Sequence, residues 1–349
     1  MLTSDMRRVV DAQRVLIRST NWIGDAVMTT PAVRAIRRQF PRARISMLAK
    51  PWVAPVFAHS PHVDEVIVYD AKGRHRGASG PIRLARDLRR RRFEAAILLQ
   101  NAVEAALIAF LAGIPVRIGF DTDARRLLLT HPVRCTKAIK AIHQTGYYLK
   151  ILEGVGLSPR GQSLELHLGA EDRQAARRIL AERRIAPDQR VVGLNPSATF
   201  GPAKQWFPER YAALGDRLSR TLGATIVIFG GPSDRDLGAR IAGMMTTRAV
   251  DLSGRTRLGE AMALIARCDA FVTNDSGLMH VAAALNTPLV AVFGSTNPVT
   301  TGPFSPTSRV VRSAIACSPC MQPVCPLDHM NCMRNISVEM VAEAVEGLL

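Results

Sequence analysis

Short apolar runs recur along the chain, separated by longer stretches in which apolar positions return every three or four residues. In the first half the runs at Arg14–Arg18, Arg44–Leu48, Glu65–Tyr69 and Ala95–Leu99 read as buried strands, and Asp25–Gln39 reads as a helix. In the second half strands are predicted at Val191–Leu194, Thr225–Phe229, Ala270–Thr273 and Leu289–Phe293, again with helices between them. Strands alternating with helices imply parallel sheets joined by crossover connections. The pattern therefore predicts two doubly wound α/β domains with a ligand cleft between them, the first covering residues 1–160 and the second 161–349. The boundary is read from the Gly-containing stretch Gly154–Gly169, which follows the helix around Tyr147 and Tyr148.

The residues Asn274–Asn286, NDSGLMHVAAALN, place polar groups at the start of a small, apolar helix between two buried strands. The first amides of such a helix lack intrahelical acceptors and carry the positive end of its dipole, so an anion such as phosphate is the natural ligand. Gly277 admits a ligand close to the backbone, Asp275 and Ser276 are candidate caps, and His280 lies one turn on. The plainer alternative keeps Asp275 and Ser276 as caps and His280 as a packed side chain. A second loop makes the anion reading stronger: Asn195–Trp206, NPSATFGPAKQW, puts Ser197, Thr199 and Lys204 at the carboxyl end of a strand, where doubly wound sheets bind ligands. A lysine there can neutralise phosphate oxygens. Neither half carries G-x-G-x-x-G after its first strand and no Walker A pattern is present, which argues against a simple dehydrogenase or NTPase.

Composition changes the picture mainly through charge. Of the net +17, residues 1–150 account for +15, with 26 Lys and Arg against 11 Asp and Glu. The densest stretch, Ile82–Phe93 (IRLARDLRRRRF), can form a helix with Ile82, Leu84, Ala85 and Leu88 on one side and arginines on the other. Such a face suits an anionic membrane surface or a phosphorylated partner. It also fits a non-enzymatic nucleic-acid-binding module, but aromatic residues are only 5% and no nucleic-acid motif is present. No apolar run approaches the length of a membrane-spanning helix, and the N-terminus has no leader-like core. The expected location is the cytoplasm.

Three ordered motifs, NWIGD at Asn21–Asp25, FGPAKQW at Phe200–Trp206 and TNDSGLMHVAAALN at Thr273–Asn286, resemble the ADP-heptose:lipopolysaccharide heptosyltransferases of glycosyltransferase family 9. The resemblance covers nearly the whole chain. It implies a GT-B architecture: two Rossmann-like domains, the first for the acceptor and the second for the nucleotide sugar. It further implies inverting transfer of L-glycero-D-manno-heptose from ADP-heptose onto the first heptose of the lipopolysaccharide inner core, carried by heptosyl-Kdo2-lipid A. Transfer of another heptose or sugar on the same scaffold is the alternative.

Displacement at an anomeric carbon needs a base for the acceptor hydroxyl and a clamp for the leaving group. Asp25 is the candidate base, although a carboxylate in a first helical turn is favoured by the dipole alone; the resemblance tips it toward catalysis. Lys204 and the opening at Ser276–Gly277 would hold the diphosphate. By similarity Ser197 and Thr199 contact phosphates, and Asp275 with His280 contact the heptose or its adjoining phosphate. Asp234, in FGGPSDRD, is a candidate for the ribose hydroxyls. No cofactor is required, ADP-heptose being a substrate, and the enzyme would sit peripherally on the inner face of the cytoplasmic membrane, near its anionic lipid-borne acceptor, with no nucleic acid partner.

Cysteine usage stands apart from this reading. Cys135 and Cys268 are isolated in apolar settings, whereas Cys317, Cys320, Cys325 and Cys332 fall in CSPCMQPVCPLDHMNCM with His329 among them. In a reducing compartment that density raises a structural zinc, with packed thiols as the default. Asp121-Thr122-Asp123 matches a D-x-D pattern but is read as a surface loop.

Overall fold

A computed structural model describes residues 11–349; the expectation of no leader at residues 1–10 lies outside the described residues. The chain divides into two compact units, the first ending at His167 and the second beginning at Leu168. Among the described residues no helix is long and apolar enough to cross a membrane.

The first unit is built on a six-stranded parallel sheet: β1 (Arg14–Arg18), β2 (Arg44–Ala49), β3 (Glu65–Val68), β4 (Ala95–Leu98), β5 (Val116–Phe120) and β6 (His131–Val133) in the order β3-β2-β1-β4-β5-β6. The second repeats the plan with β7 (Val191–Asn195), β8 (Thr225–Ile228), β9 (Ala249–Asp251), β10 (Ala270–Asn274), β11 (Leu289–Phe293) and β12 (Ser308–Arg312) in the order β12-β11-β10-β7-β8-β9. In each sheet the order reverses beside the first strand, between β1 and β4 and between β7 and β10. Such a switch point opens a crevice at the strands' carboxyl ends, where ligands bind.

Apart from β3, a half-exposed edge strand that was predicted all the same, the predicted strands are inner ones: β4, β7, β8, β10 and β11 are buried throughout and continuously apolar. The four unpredicted strands β5, β6, β9 and β12 are at or next to sheet edges and half exposed, so their apolar runs are broken. Pro132 within β6 is tolerated because that strand is an edge.

The single helix predicted at Asp25–Gln39 is two, Ile23–Met28 and Thr30–Gln39. Pro31 has no N–H for the Val27 carbonyl, and the Thr30 hydroxyl takes that place at 2.8 Å. The helix Gly80–Arg89 buries Leu84, Ala85 and Leu88 as predicted, but Ile82, in its first turn, is 45% exposed. In the second unit Trp206 and Tyr211 pack edge to face among the buried strand residues, together with Met333, Ile336 and the C-terminal helix Val338–Glu346.

Candidate functional site

The second unit's crevice is assembled by two asparagines that end neighbouring strands. Asn195, closing β7, donates from Nδ2 to the hydroxyls of Thr273 (2.8 Å) and Ser276 (2.7 Å). Asn274, closing β10, is fully buried: its Oδ1 accepts from the Trp206 backbone N–H and the Tyr211 hydroxyl, both at 3.0 Å, while Nδ2 donates to the Pro196 carbonyl at 2.7 Å. These bonds sew the loop after β7 to the turn after β10. Buried amides left without such partners would each cost about 1–3 kcal/mol, so the stitching is itself a stability element.

The same stitching brings Lys204 to Asp275. The ammonium lies 2.6 Å from Asp275 Oδ2, with side-chain exposures of 14% and 5%, and Thr296, just beyond β11, donates its hydroxyl to the same oxygen at 2.7 Å. Lys204 Nζ also stands 4.9 Å from the centre of the Phe200 ring. Next to this pair begins the helix Gly277–Ala284, with extended Ser276 as its N-cap.

The capping expectation is corrected here. Ser276 makes no side-chain cap bond, because its hydroxyl faces Asn195 and Thr273; Asp275 is spent on Lys204 and Thr296. The positive end of the dipole is left for another anion. His280 is buried one turn along the helix, Ser197 is half-buried and Thr199 is exposed on the loop. Asp234 sits apart on the segment after β8, where its carboxylate accepts the Gly231 N–H at 2.7 Å and so serves its own turn. The sequence reading missed Asn195, Asn274 and Thr296, although each ends or follows a predicted strand.

The first unit's crevice gathers buried cations. Arg18, at the end of β1, is 1% exposed; its guanidinium donates to Asn21 Oδ1 at 2.8 Å and to the Ser19 carbonyl. Burial lowers its pKa to about 10, with Glu104 and Tyr69 opposing, so it stays charged at neutral pH. Lys50, also buried, has its ammonium 3.4 Å from the Tyr69 ring centre, and burial lowers its pKa despite Glu104. The Tyr69 hydroxyl donates to Glu104 at 2.5 Å, and burial followed by that bond holds the phenol protonated. Arg125 donates to Asn101 Oδ1 at 2.9 Å and to the Phe120 carbonyl at 2.8 Å, burial again lowering its pKa to about 10.

Four residues after Asn21, Asp25 lies half-buried in the first turn of Ile23–Met28, and Trp22 and Trp52 are 61% and 46% exposed. Trp52 Nε1 donates to the Asn21 carbonyl at 2.8 Å, fixing the turn that carries Asp25. None of Arg18, Lys50, Glu104 or Arg125 was singled out from sequence, since isolated charged residues at strand ends and in first helical turns read as ordinary solvated positions.

The D-x-D pattern is structural at its first carboxylate: Asp121 Oδ1 accepts the Cys135 N–H at 3.0 Å, while Asp123 is exposed. Cys268 is buried, which pushes its thiol up to about 12, whereas Cys135 is half-buried. The cluster at Cys317–Cys332 lies along the second unit's site. Met321 N–H donates to the Ser295 carbonyl (2.7 Å), Ser318 Oγ to Gly294 (2.7 Å), and Ala203 N–H to Pro323 (3.0 Å). Gly201 is required there, since a Cβ would stand 2.3 Å from the Pro323 oxygen.

The family model described as glycosyltransferase family 9 (heptosyltransferase) matches residues 82–331. Lipopolysaccharide heptosyltransferase 2 of Escherichia coli is 33% identical over 307 residues, covering 86% of this chain and 88% of that protein. The structure of E. coli ADP-heptose lipopolysaccharide heptosyltransferase II superposes with a TM-score of 0.81 at 29% identity, covering 96% of this chain and 98% of that one. A family 9 glycosyltransferase from Veillonella parvula reaches a TM-score of 0.87 at 27% identity, covering 96% and 97%.

Proposed function

The chain belongs to glycosyltransferase family 9, the heptosyltransferases, and on that premise we propose that it works as heptosyltransferase II, moving L-glycero-D-manno-heptose from ADP-heptose to the first heptose of the lipopolysaccharide inner core. It is a glycosyltransferase of GT-B architecture, with two Rossmann-like units. The observation that carries the donor half of the reading is the pairing of Lys204 and Asp275 at the uncapped opening of Gly277–Ala284, at a topological switch point.

The second unit holds ADP-heptose. First-turn amides at Gly277 and the Lys204 ammonium take the diphosphate, and stabilise it as charge builds on the departing ADP. Asp275 aims the lysine and, with His280, borders the sugar; Ser197 and Thr199 supply hydroxyls from the loop. Asp234, whose carboxylate also accepts the Gly231 amide, is the candidate for the ribose hydroxyls. In the first unit Asp25 removes the acceptor's proton, and the buried cations Arg18, Lys50 and Arg125 give that crevice a positive field for an anionic glycolipid.

Bond making and breaking are then one displacement. The acceptor oxygen attacks the anomeric carbon as the carbon–phosphate oxygen bond breaks, its proton passing to Asp25 and the electron pair leaving with ADP. The product must carry the anomeric configuration opposite to the donor's, and a retained configuration in its NMR coupling pattern would reject a single displacement.

A peripheral place on the inner membrane face follows from the acceptor's lipid anchor and from Arg86, Arg89, Arg90, Arg91 and Arg92, which are exposed. In the second unit the lysine, asparagine and aspartate groups converge on a helix opening suited to a small anion, which supports a nucleotide sugar and not a nucleic acid as that unit's ligand.

A further inference from the structure

Cys317, Cys320 and Cys325 of an irregular loop and Cys332 of the short helix Asn331–Arg334 line one small cavity with His329 and with Ala203 and Ser295 of the nucleotide-sugar unit. All four are free thiols. Buried apolar thiols that merely pack are scattered singly, as Cys268 is; four converging on one cavity are the donor set for a soft divalent cation.

The backbone around them is unusual in a second way. Met321, Asp328 and Met330 have left-handed φ of 57°, 52° and 52°, so three non-glycine residues in this one loop occupy a region that L side chains disfavour. Met321 directly follows Cys320 of the C-x₂-C pair, and Asp328 and Met330 lie in the turn after Cys325. Sparsely populated conformations of this kind persist where the surroundings over-determine them.

His329 sorts itself out by its hydrogen bonds. Its Nδ1 accepts the Asn331 N–H at 3.0 Å, so the proton of the neutral ring is on Nε2, and Nε2 stands 4.0 Å from Cys317 Sγ. A protonated nitrogen cannot ligate, but it can donate to a thiolate from outside the coordination sphere.

We propose that the four cysteines bind one zinc or ferrous ion as a closed tetrathiolate site, with His329 donating to Cys317 from the outer sphere. Binding M²⁺ to four thiols releases four protons and leaves a site of charge −2. No three of the donor atoms stand within 4.8 Å of one another, so the sulfurs draw inward on metal uptake. With no open coordination position the ion is structural. Its place explains what it braces: the same loop donates to Gly294 and Ser295 and accepts from Ala203, one residue from Lys204. The inference uses residues outside the transfer reaction and stands or falls independently of the proposed activity.

The experiment is metal analysis by mass spectrometry of the full chain, purified under reducing conditions without added metal, followed by replacement with Co²⁺. Close to one equivalent is expected, and Co²⁺ should give the thiolate charge-transfer and visible bands of a tetrahedral site. Cys320→Ser and Cys325→Ser should lose the ion and Cys268→Ser keep it. His329→Ala should keep the stoichiometry while weakening metal affinity about 10- to 100-fold. Wild-type protein with less than roughly a tenth of an equivalent and no cobalt spectrum overturns the proposal, whatever the variants do. So do peptides showing disulfides among the four cysteines, which would make the cluster a redox pair. Loss of stoichiometric metal in His329→Ala with retention in Cys317→Ser would overturn the four-thiolate ligand set.

Discussion

Lys204→Met separates the two jobs assigned to the lysine. The ammonium lies 2.6 Å from Asp275 Oδ2, whose side chain is 5% exposed and keeps only the Thr296 hydroxyl at 2.7 Å once the lysine is gone. Leaving a buried charge unpaired costs about 3–5 kcal/mol, so the single variant should melt well below wild type. Replacing Asp275 by Asn as well removes both charges, and the double variant should recover most of that loss. Affinity for ADP should behave differently. One charge-assisted hydrogen bond to a phosphate is worth about 1.5–3 kcal/mol, or about 10- to 150-fold in Kd. Calorimetric titration should show that weakening in Lys204→Met and again in the double variant, because restoring stability does not restore the cation. If the double variant binds ADP as wild type does, the lysine is a structural partner of Asp275 and the diphosphate clamp is wrong.

Asp25→Asn should lower turnover by about 10²- to 10⁴-fold with ADP-heptose affinity retained; near-normal turnover removes it as the base. Asn274→Leu leaves the Trp206 amide and the Pro196 carbonyl without partners, each at about 1–3 kcal/mol, and the Tyr211 hydroxyl with only the Asn195 carbonyl at 3.4 Å; chemical denaturation should register a loss of several kcal/mol in the second unit. Burial alone would raise the Asp216 carboxyl, but the N–H and hydroxyl bonds from Thr246 and Thr247 outweigh it and bring it from 3.8 to about 2. Because the folded value is the lower one, its contribution is complete above about pH 4 and is lost as pH falls toward 2. Asp216→Asn should be less stable at neutral pH and flatter across that acid window; an unchanged acid transition would refute the assignment. Reversing Arg89–Arg92 to glutamates should abolish salt-sensitive binding to anionic vesicles, whereas retention at molar salt would point to apolar insertion.

The inner strands were legible because burial on both faces writes an unbroken apolar run, as in Leu289–Phe293. Edge strands such as His131–Val133 and Ser308–Arg312 are short and half exposed, so no comparable run marks them. The helix opening at Ser276–Gly277 and the loop carrying Lys204 were also readable, since polar residues after a strand are out of keeping with a buried helix. What linear spacing could not supply was partnership. Lys204 and Asp275 are 71 positions apart and meet only because Asn195 and Asn274 tie two strand ends together. The capping role expected of Asp275 failed for the same reason: a carboxylate near a buried ammonium is worth more there than at a helix amide. Arg18 and Arg125 were invisible as site residues because a folded sheet, and not a motif, buries them among carbonyls and asparagines.

The most direct test of the account is ADP release by the full chain given ADP-heptose with and without a lipopolysaccharide core ending in its first heptose. The account predicts release that depends on that acceptor, with one heptose gained per ADP formed. Folded protein that binds ADP but releases none from ADP-heptose in the acceptor's presence would contradict it.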